Sequence, residues 1–123
     1  MGQKYPFHFV LSAKAAAGSN DLAQEQIPDG RLYCIQRVAV ENETTAYTDL
    51  RILIAGGGEE FLLVEEDNLT AATLYWMDEP AYLREGQYLV CRLSGCTAND
   101  VLKAYITGWW QEARELSDAK DRD

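Results

Sequence analysis

From residue 31 onward the apolar positions fall into short β-branched and aromatic runs separated by turn residues. That pattern predicts many short strands and no alternation of strands with helices. Residues 5–11 already show a period of two, with Tyr5, Phe7, Phe9 and Leu11 on one face and His8 and Val10 on the other. Residues 31–41 read as a long strand in which Leu32 and Cys34 share a phase with Val38 and Val40, while Tyr33, Ile35 and Ala39 take the opposite phase. Residues 49–55 place Leu50, Ile52 and Ile54 inward and Asp49 and Arg51 outward, with Leu53 as the outward exception. Gly56-Gly57-Gly58 then permits a tight hairpin into Phe61-Leu62-Leu63-Val64.

Residues 65–68 read as a turn and residues 70–77 as a strand that Asp78-Glu79-Pro80 closes. A short segment at Tyr82-Leu83 leads through a turn at residues 84–86 into residues 87–94, where Leu89, Cys91 and Leu93 share a face. Residues 94–100 turn the chain into a last strand over residues 101–110. There Leu102, Ala104, Ile106 and Gly108 lie in one phase and Val101, Tyr105 and Trp109 in the other. The total is about eight strands, which predicts an all-β antiparallel sandwich of jelly-roll type. Residues 12–29 are less regular, with a turn of helix at 14–17, a turn at 18–21 and a corner at 27–30. A linker of that length is either an arm toward a neighbouring subunit or a crossover between the two sheets.

At 123 residues the chain suits one domain, assigned to residues 1–111, with a charged tail over residues 112–123. No apolar run approaches the ~20 residues of a membrane-spanning helix, so no membrane partner is expected. The N-terminal apolar run is too short for a signal h-region and Pro6 breaks the myristoylation pattern, which predicts synthesis in the cytoplasm. The net charge of −9 comes without a Lys/Arg cluster, and nucleic acid is not an expected partner. Cys34, Cys91 and Cys96 are odd in number and two of them sit in apolar runs, so reduced thiols are expected. The sequons at Asn42 and Asn68 are read as chance matches.

Catalytic chemistry has little to build on. His8 is the single histidine, and a metal centre or a catalytic triad needs several converging groups. Glu59 with Glu60 and Glu65 with Glu66 are consecutive pairs, and neighbours on a strand point to opposite faces. Cys91 and Cys96 lack Cys-x-x-Cys spacing, and the acidic pair after the glycine triplet would repel a phosphate. The expectation is therefore a non-enzyme with no catalytic, cofactor-binding or metal-binding residues. Aromatics carry more information, because Tyr75-Trp76 and Trp109-Trp110 are adjacent pairs. Whichever member faces the core, the other lies outside or at a strand end. Tyr75, Trp76, Tyr82, Trp109 and Trp110 are the candidate interface residues; cover by loops or the tail of the same molecule is the alternative.

The runs Ile27-Pro28-Asp29-Gly30 through Val38-Ala39-Val40-Glu41-Asn42-Glu43-Thr44, Tyr82-Leu83-Arg84-Glu85-Gly86-Gln87, and Thr97-Ala98-Asn99-Asp100-Val101-Leu102-Lys103-Ala104-Tyr105-Ile106-Thr107-Gly108 resemble small jelly-roll accessory proteins of tailed-bacteriophage virions. The resemblance covers residues 27–111 and lies in the placement of strands and turns. It implies a virion location and a capsid decoration or cement protein. Such a protein would be a homo-oligomer, most simply a trimer, that binds a major capsid or other virion protein through the 12–29 segment, the termini and the outward aromatics. A head-tail or neck adaptor is one alternative. A carbohydrate- or receptor-binding module, with Tyr75, Trp76, Trp109 and Trp110 stacking on a glycan, is the other.

Overall fold

Inward-facing apolar residues at every second position drive the chain into nine strands in a computed structural model that describes residues 3–113. These are β1 (Tyr5–Lys14), β2 (Gly18–Ala23), β3 (Arg31–Asn42), β4 (Tyr47–Gly56), β5 (Glu59–Leu69), β6 (Tyr75–Met77), β7 (Ala81–Leu83), β8 (Tyr88–Cys96) and β9 (Val101–Glu112). One sheet runs β1-β9-β3-β6, with β7 also paired to β3; the other runs β2-β8-β4-β5. Strands β6 and β7 pair with successive stretches of β3 and are two halves of one edge strand, interrupted at Pro80. Counting them as one gives the eight expected strands. Most connections cross from one sheet to the other, and the two four-membered orders are those of a jelly roll.

Sheet-on-sheet packing buries Ile35, Val38 and Val40 of β3, Leu50 and Ile52 of β4, Leu89, Cys91 and Leu93 of β8, and Leu102, Ala104 and Ile106 of β9 in one core. Strand β3 departs from the simple alternation expected of it. Its register against β9 shifts between Ile35 and Arg37, so one extra residue enters and the phase reverses. Tyr33 and Ile35 face inward before the bulge, and Val38 and Val40 face inward after it. Leu32 and Cys34 therefore share their face with Ala39, not with Val38 and Val40.

Two other expectations are corrected. Residues 12–29 are not a free arm: β1 runs on to Lys14, and Gly18–Ala23 is an edge strand paired to β8. Leu22 and Ile27 enter the core, and buried Gln24 accepts a hydrogen bond from the Leu89 N–H through its side-chain oxygen (3.2 Å). An edge strand with solvent on its outer face needs few apolar residues, so its pattern is faint. Residues 65–68 are likewise strand and not turn, because β5 continues to Leu69 alongside β4. The glycine hairpin forms as expected, with positive φ at Gly57 and Gly58 in a two-residue turn. Glu112 ends β9, the Ala113 N–H donates to the Gly30 carbonyl (2.7 Å), and residues 114–123 of the predicted tail lie outside the described residues.

A buried polar knot ties the β3–β4 turn to the β8–β9 turn. One Asp100 carboxylate oxygen accepts hydrogen bonds from the Asn42 amide (2.8 Å), the Thr45 hydroxyl (2.6 Å) and the Thr97 N–H (2.8 Å). The Asn42 side-chain oxygen in turn accepts from the Thr44 and Thr45 N–H groups. Burial raises the Asp100 pKa, but the bonds from Asn42, Thr45 and Thr97 outweigh it and hold the carboxyl below its usual value.

A lowered folded-state pKa means that ionised Asp100 stabilises the fold above the unfolded carboxyl value of about 3.9, and that this contribution is lost as pH falls through the folded value. Asp100→Asn is expected to cost about 2 kcal/mol at neutral pH. The gap from wild type should narrow in melts as pH falls below that unfolded value; a gap of constant width across the acid range would contradict this. At Gly108 any Cβ would strike the backbone oxygen of Cys34, with the Phe7 ring 3.0 Å away. Gly108→Ala should cost about 2–3 kcal/mol and lower Tm by roughly 10 °C, measured by calorimetry.

Candidate functional site

Residues paired across an antiparallel sheet share a face, so the register fixes what the β1-β9-β3-β6/β7 sheet shows to solvent. One outward row runs Tyr82, Cys34, Trp109 and Pro6. A second runs Trp76, Ala39, Tyr105 and Val10, and between them lie Arg37, Thr107 and His8. In both rows a small β3 residue sits between two aromatics. Flanked by rings on both neighbouring strands, Cys34 and Ala39 are nearly inaccessible on an outward face. Trp76 and Tyr82 remain 54% and 58% exposed, while Trp109 and Tyr105 are half-buried.

Cations hold these rings in place. The Lys4 ammonium lies 4.4 Å from the Trp109 ring centre and the Arg37 guanidinium 5.4 Å from that of Trp76. Arg37 is fixed in turn by Asp78, 2.8 Å away. Trp109 meets Tyr82 edge-on at 6.5 Å between centroids. The result is an aromatic surface with charged groups at its margin.

The five candidate residues therefore divide. Trp76, Tyr82 and Trp109 come together on the outer face. Tyr75 faces inward against the core, and its hydroxyl accepts a hydrogen bond from the Thr70 N–H (3.1 Å). Trp110 also faces inward, stacked between Tyr5 (4.4 Å) and Tyr33 (6.3 Å) under Arg31 (3.8 Å). Tyr105 belongs to the outer face and was not among the candidates. Its phase with Trp109 on β9 was the available signal.

The groups with chemical potential are dispersed. The Cys34, Cys91 and Cys96 thiols are buried and free, and burial raises all three pKa values, that of Cys91 to about 12. Arg92 bridges Asp21 (2.8 Å) and Glu60 (2.8 Å), and the Arg92 hydrogen bond lowers the Glu60 pKa. Asp49, Glu65 and Asp67 gather their carboxylates within 4.8 Å of one another. Arg51 already enters that cluster, 2.6 Å from Glu65 and 3.4 Å from Asp49. A cleft of about 430 Å³ lies on the flank between β1 and the β2–β3 connection, lined by Phe9, Leu11, Ile27, Pro28, Arg31 and Tyr33 among others.

No protein-family profile matches the chain, and no curated protein matches it. Among solved structures it is similar to Bacillus endospore appendages, which are disulfide-linked pili, at 13% identity over 90% of this chain and 91% of that one (TM-score 0.44). A family 29 carbohydrate-binding module matches at 12% identity over 91% and 81% (TM-score 0.37). The Gx strain of infectious bursal disease virus matches at 10% identity over 97% of this chain and 42% of that one (TM-score 0.37). At these scores and identities the matches carry no argument about what the chain does.

The division of the aromatics has a direct thermodynamic consequence. Trp76→Ala and Tyr82→Ala remove exposed rings and should change stability by less than about 0.5 kcal/mol in urea unfolding. Trp110→Ala breaks a half-buried stack and should cost about 2–3 kcal/mol. Equal losses at all three positions would mean that the outer rings are structural.

Proposed function

We propose that the chain is a non-enzymatic structural protein of a virus particle, docking through the outer aromatic face of its β1-β9-β3-β6/β7 sheet. The observation that carries this reading is the convergence of Trp76, Tyr82 and Trp109 on one sheet face, with two of the rings more than half exposed. An apolar aromatic centre with Arg37, Asp78 and Lys4 at its margin has the anatomy of a protein interface, in which Trp, Tyr and Arg supply most of the binding energy. A rigid sheet presents the rings at little entropic cost. The likeness in strand and turn placement to accessory proteins of tailed-bacteriophage virions supports assigning that interface to repeated docking on a capsid lattice, as decoration or cement, with copies associating as a trimer.

A carbohydrate-binding module is the second reading, favoured by the accessibility of the Trp76 and Tyr82 rings to a sugar. Light scattering coupled to size exclusion, run with Trp fluorescence titrations against soluble polysaccharides, separates the two. The virion reading expects a homo-oligomer indifferent to glycans, which Trp76→Ala and Tyr82→Ala shift toward a monomer that keeps the native circular dichroism spectrum. A monomer whose Trp emission shifts with a polysaccharide, and loses that response in Trp76→Ala, would overturn it.

A further inference from the structure

We propose that the free edge of β5, with the groove between it and β6–β7, is a second docking site that takes an extended segment of another protein, apolar in its middle and carrying Lys or Arg at its ends. Strand β5 is the outermost strand of its sheet and pairs with β4 alone among the described residues. It therefore presents a row of unpaired backbone donors and acceptors along Glu59–Leu69. Edge strands are ordinarily kept short or carry charge at their centre. Here the charge flanks an apolar stretch over residues 61–64, in which Phe61 and Leu62 are 67% and 49% exposed.

The space beside this edge fits the side chains of an added strand. A groove of about 460 Å³ runs between β5 and β6–β7, floored by Leu63, Val64, Met77 and Ala81. The β-bulge at Leu63, between Leu62 and Val64, lets Leu63 and Val64, though consecutive, both pack against the core beside it. A strand pairing with β5 would send alternate side chains onto this floor, the arrangement of β-strand addition.

Charge selects the occupant. Glu65, Glu66, Asp78 and Glu79 line the groove and no Lys or Arg does. Arg51 and Arg37 partly neutralise Glu65 and Asp78 from neighbouring positions, whereas Glu66 and Glu79 have no ion pair among the described residues. A second copy is a poor occupant. Antiparallel β5–β5 pairing centred on Leu62 and Leu63 would set Glu59 and Glu60 against Glu65 and Glu66, in a chain whose net charge is −9. A basic-ended segment meets the same carboxylates favourably, and apolar contact along the floor supplies the remaining attraction.

The test uses the whole chain and a fluorescein-labelled synthetic peptide, Lys-Lys-Val-Thr-Val-Thr-Val-Lys-Lys, with a second peptide in which the central Val is replaced by Pro. Fluorescence anisotropy should show saturable binding of the first peptide and none of the second, because Pro removes a ladder donor. Hydrogen exchange should slow at β5 amides when the first peptide binds. The double variant Glu66→Lys/Glu79→Lys, altered at exposed side chains, should bind at least about tenfold more weakly with an unchanged Tm. Trp76 borders both the groove and the aromatic face, whereas Tyr82 lies outside the groove, so Tyr82→Ala should bind normally and separates this site from the aromatic face. Equal binding of the two peptides would reduce the contact to unspecific charge attraction and overturn the proposal. So would an absence of binding or of β5 protection.

Discussion

The register of β3 against β9 is the constraint on which the core and the outer face both depend. Its bulge between Ile35 and Arg37 lets residues on either side of it face inward, so β3 supplies Ile35, Val38 and Val40 to one core. The same shift fixes the outward residues as Cys34, Arg37 and Ala39, two of them small. Gly108 opposes Ile35 at this point and lets the Cys34 carbonyl approach more closely than any side chain would allow. Strands β6 and β7 have three residues each and take their positions from β3. Trp76 is thereby set across from Ala39 and Tyr82 across from Cys34. A slip of one residue would turn both rings inward.

Much of this was legible where a strand has one dry face and one wet face. The alternation in β8 and β9 places Leu89, Cys91, Leu93, Leu102, Ala104 and Ile106 correctly in the core, and the glycine triplet gives its hairpin because few other residues tolerate two successive positive φ angles. Legibility fails at the edges. Strand β2 contributes Leu22 as its only large apolar residue and otherwise reads as a polar turn. The far half of β5, Glu65-Glu66-Asp67-Asn68, has the composition of a turn. It is held as a strand by its ladder with β4 and the Arg51–Glu65 ion pair, both of which depend on residues distant in sequence.

The candidate site divides along the same line. That one member of each aromatic pair must face outward follows from strand geometry alone. Which member does so depends on register, and so does the grouping of Trp76, Tyr82 and Trp109 from three different strands. A single strand shows nothing of the alternation of large and small residues across strands that packs these rings over Cys34 and Ala39. The bulge is similarly hidden, because Leu32 and Cys34 suit either phase of β3.

The two outer faces of the sandwich are built differently. On the β2-β8-β4-β5 sheet Arg51 and Arg92 join Asp49, Glu65, Asp21 and Glu60 in ion pairs, while Leu53, Ala55, Val90 and Tyr88 pack against one another. Exposed pairs of this kind contribute little to stability, but each guanidinium is already committed and a partner would have to displace a carboxylate to use it. On the opposite sheet Lys4 and Arg37 meet rings, Arg37 while also paired to Asp78, and those rings keep an open side. Lys4 and Arg37 lie against Trp109 and Trp76 without enclosing them, so a partner gains apolar area there without breaking an internal pair. This asymmetry makes the aromatic sheet face the energetically accessible surface and leaves the other face a satisfied, solvated wall, except along β5, where the ion-paired lattice ends at an unpaired backbone edge.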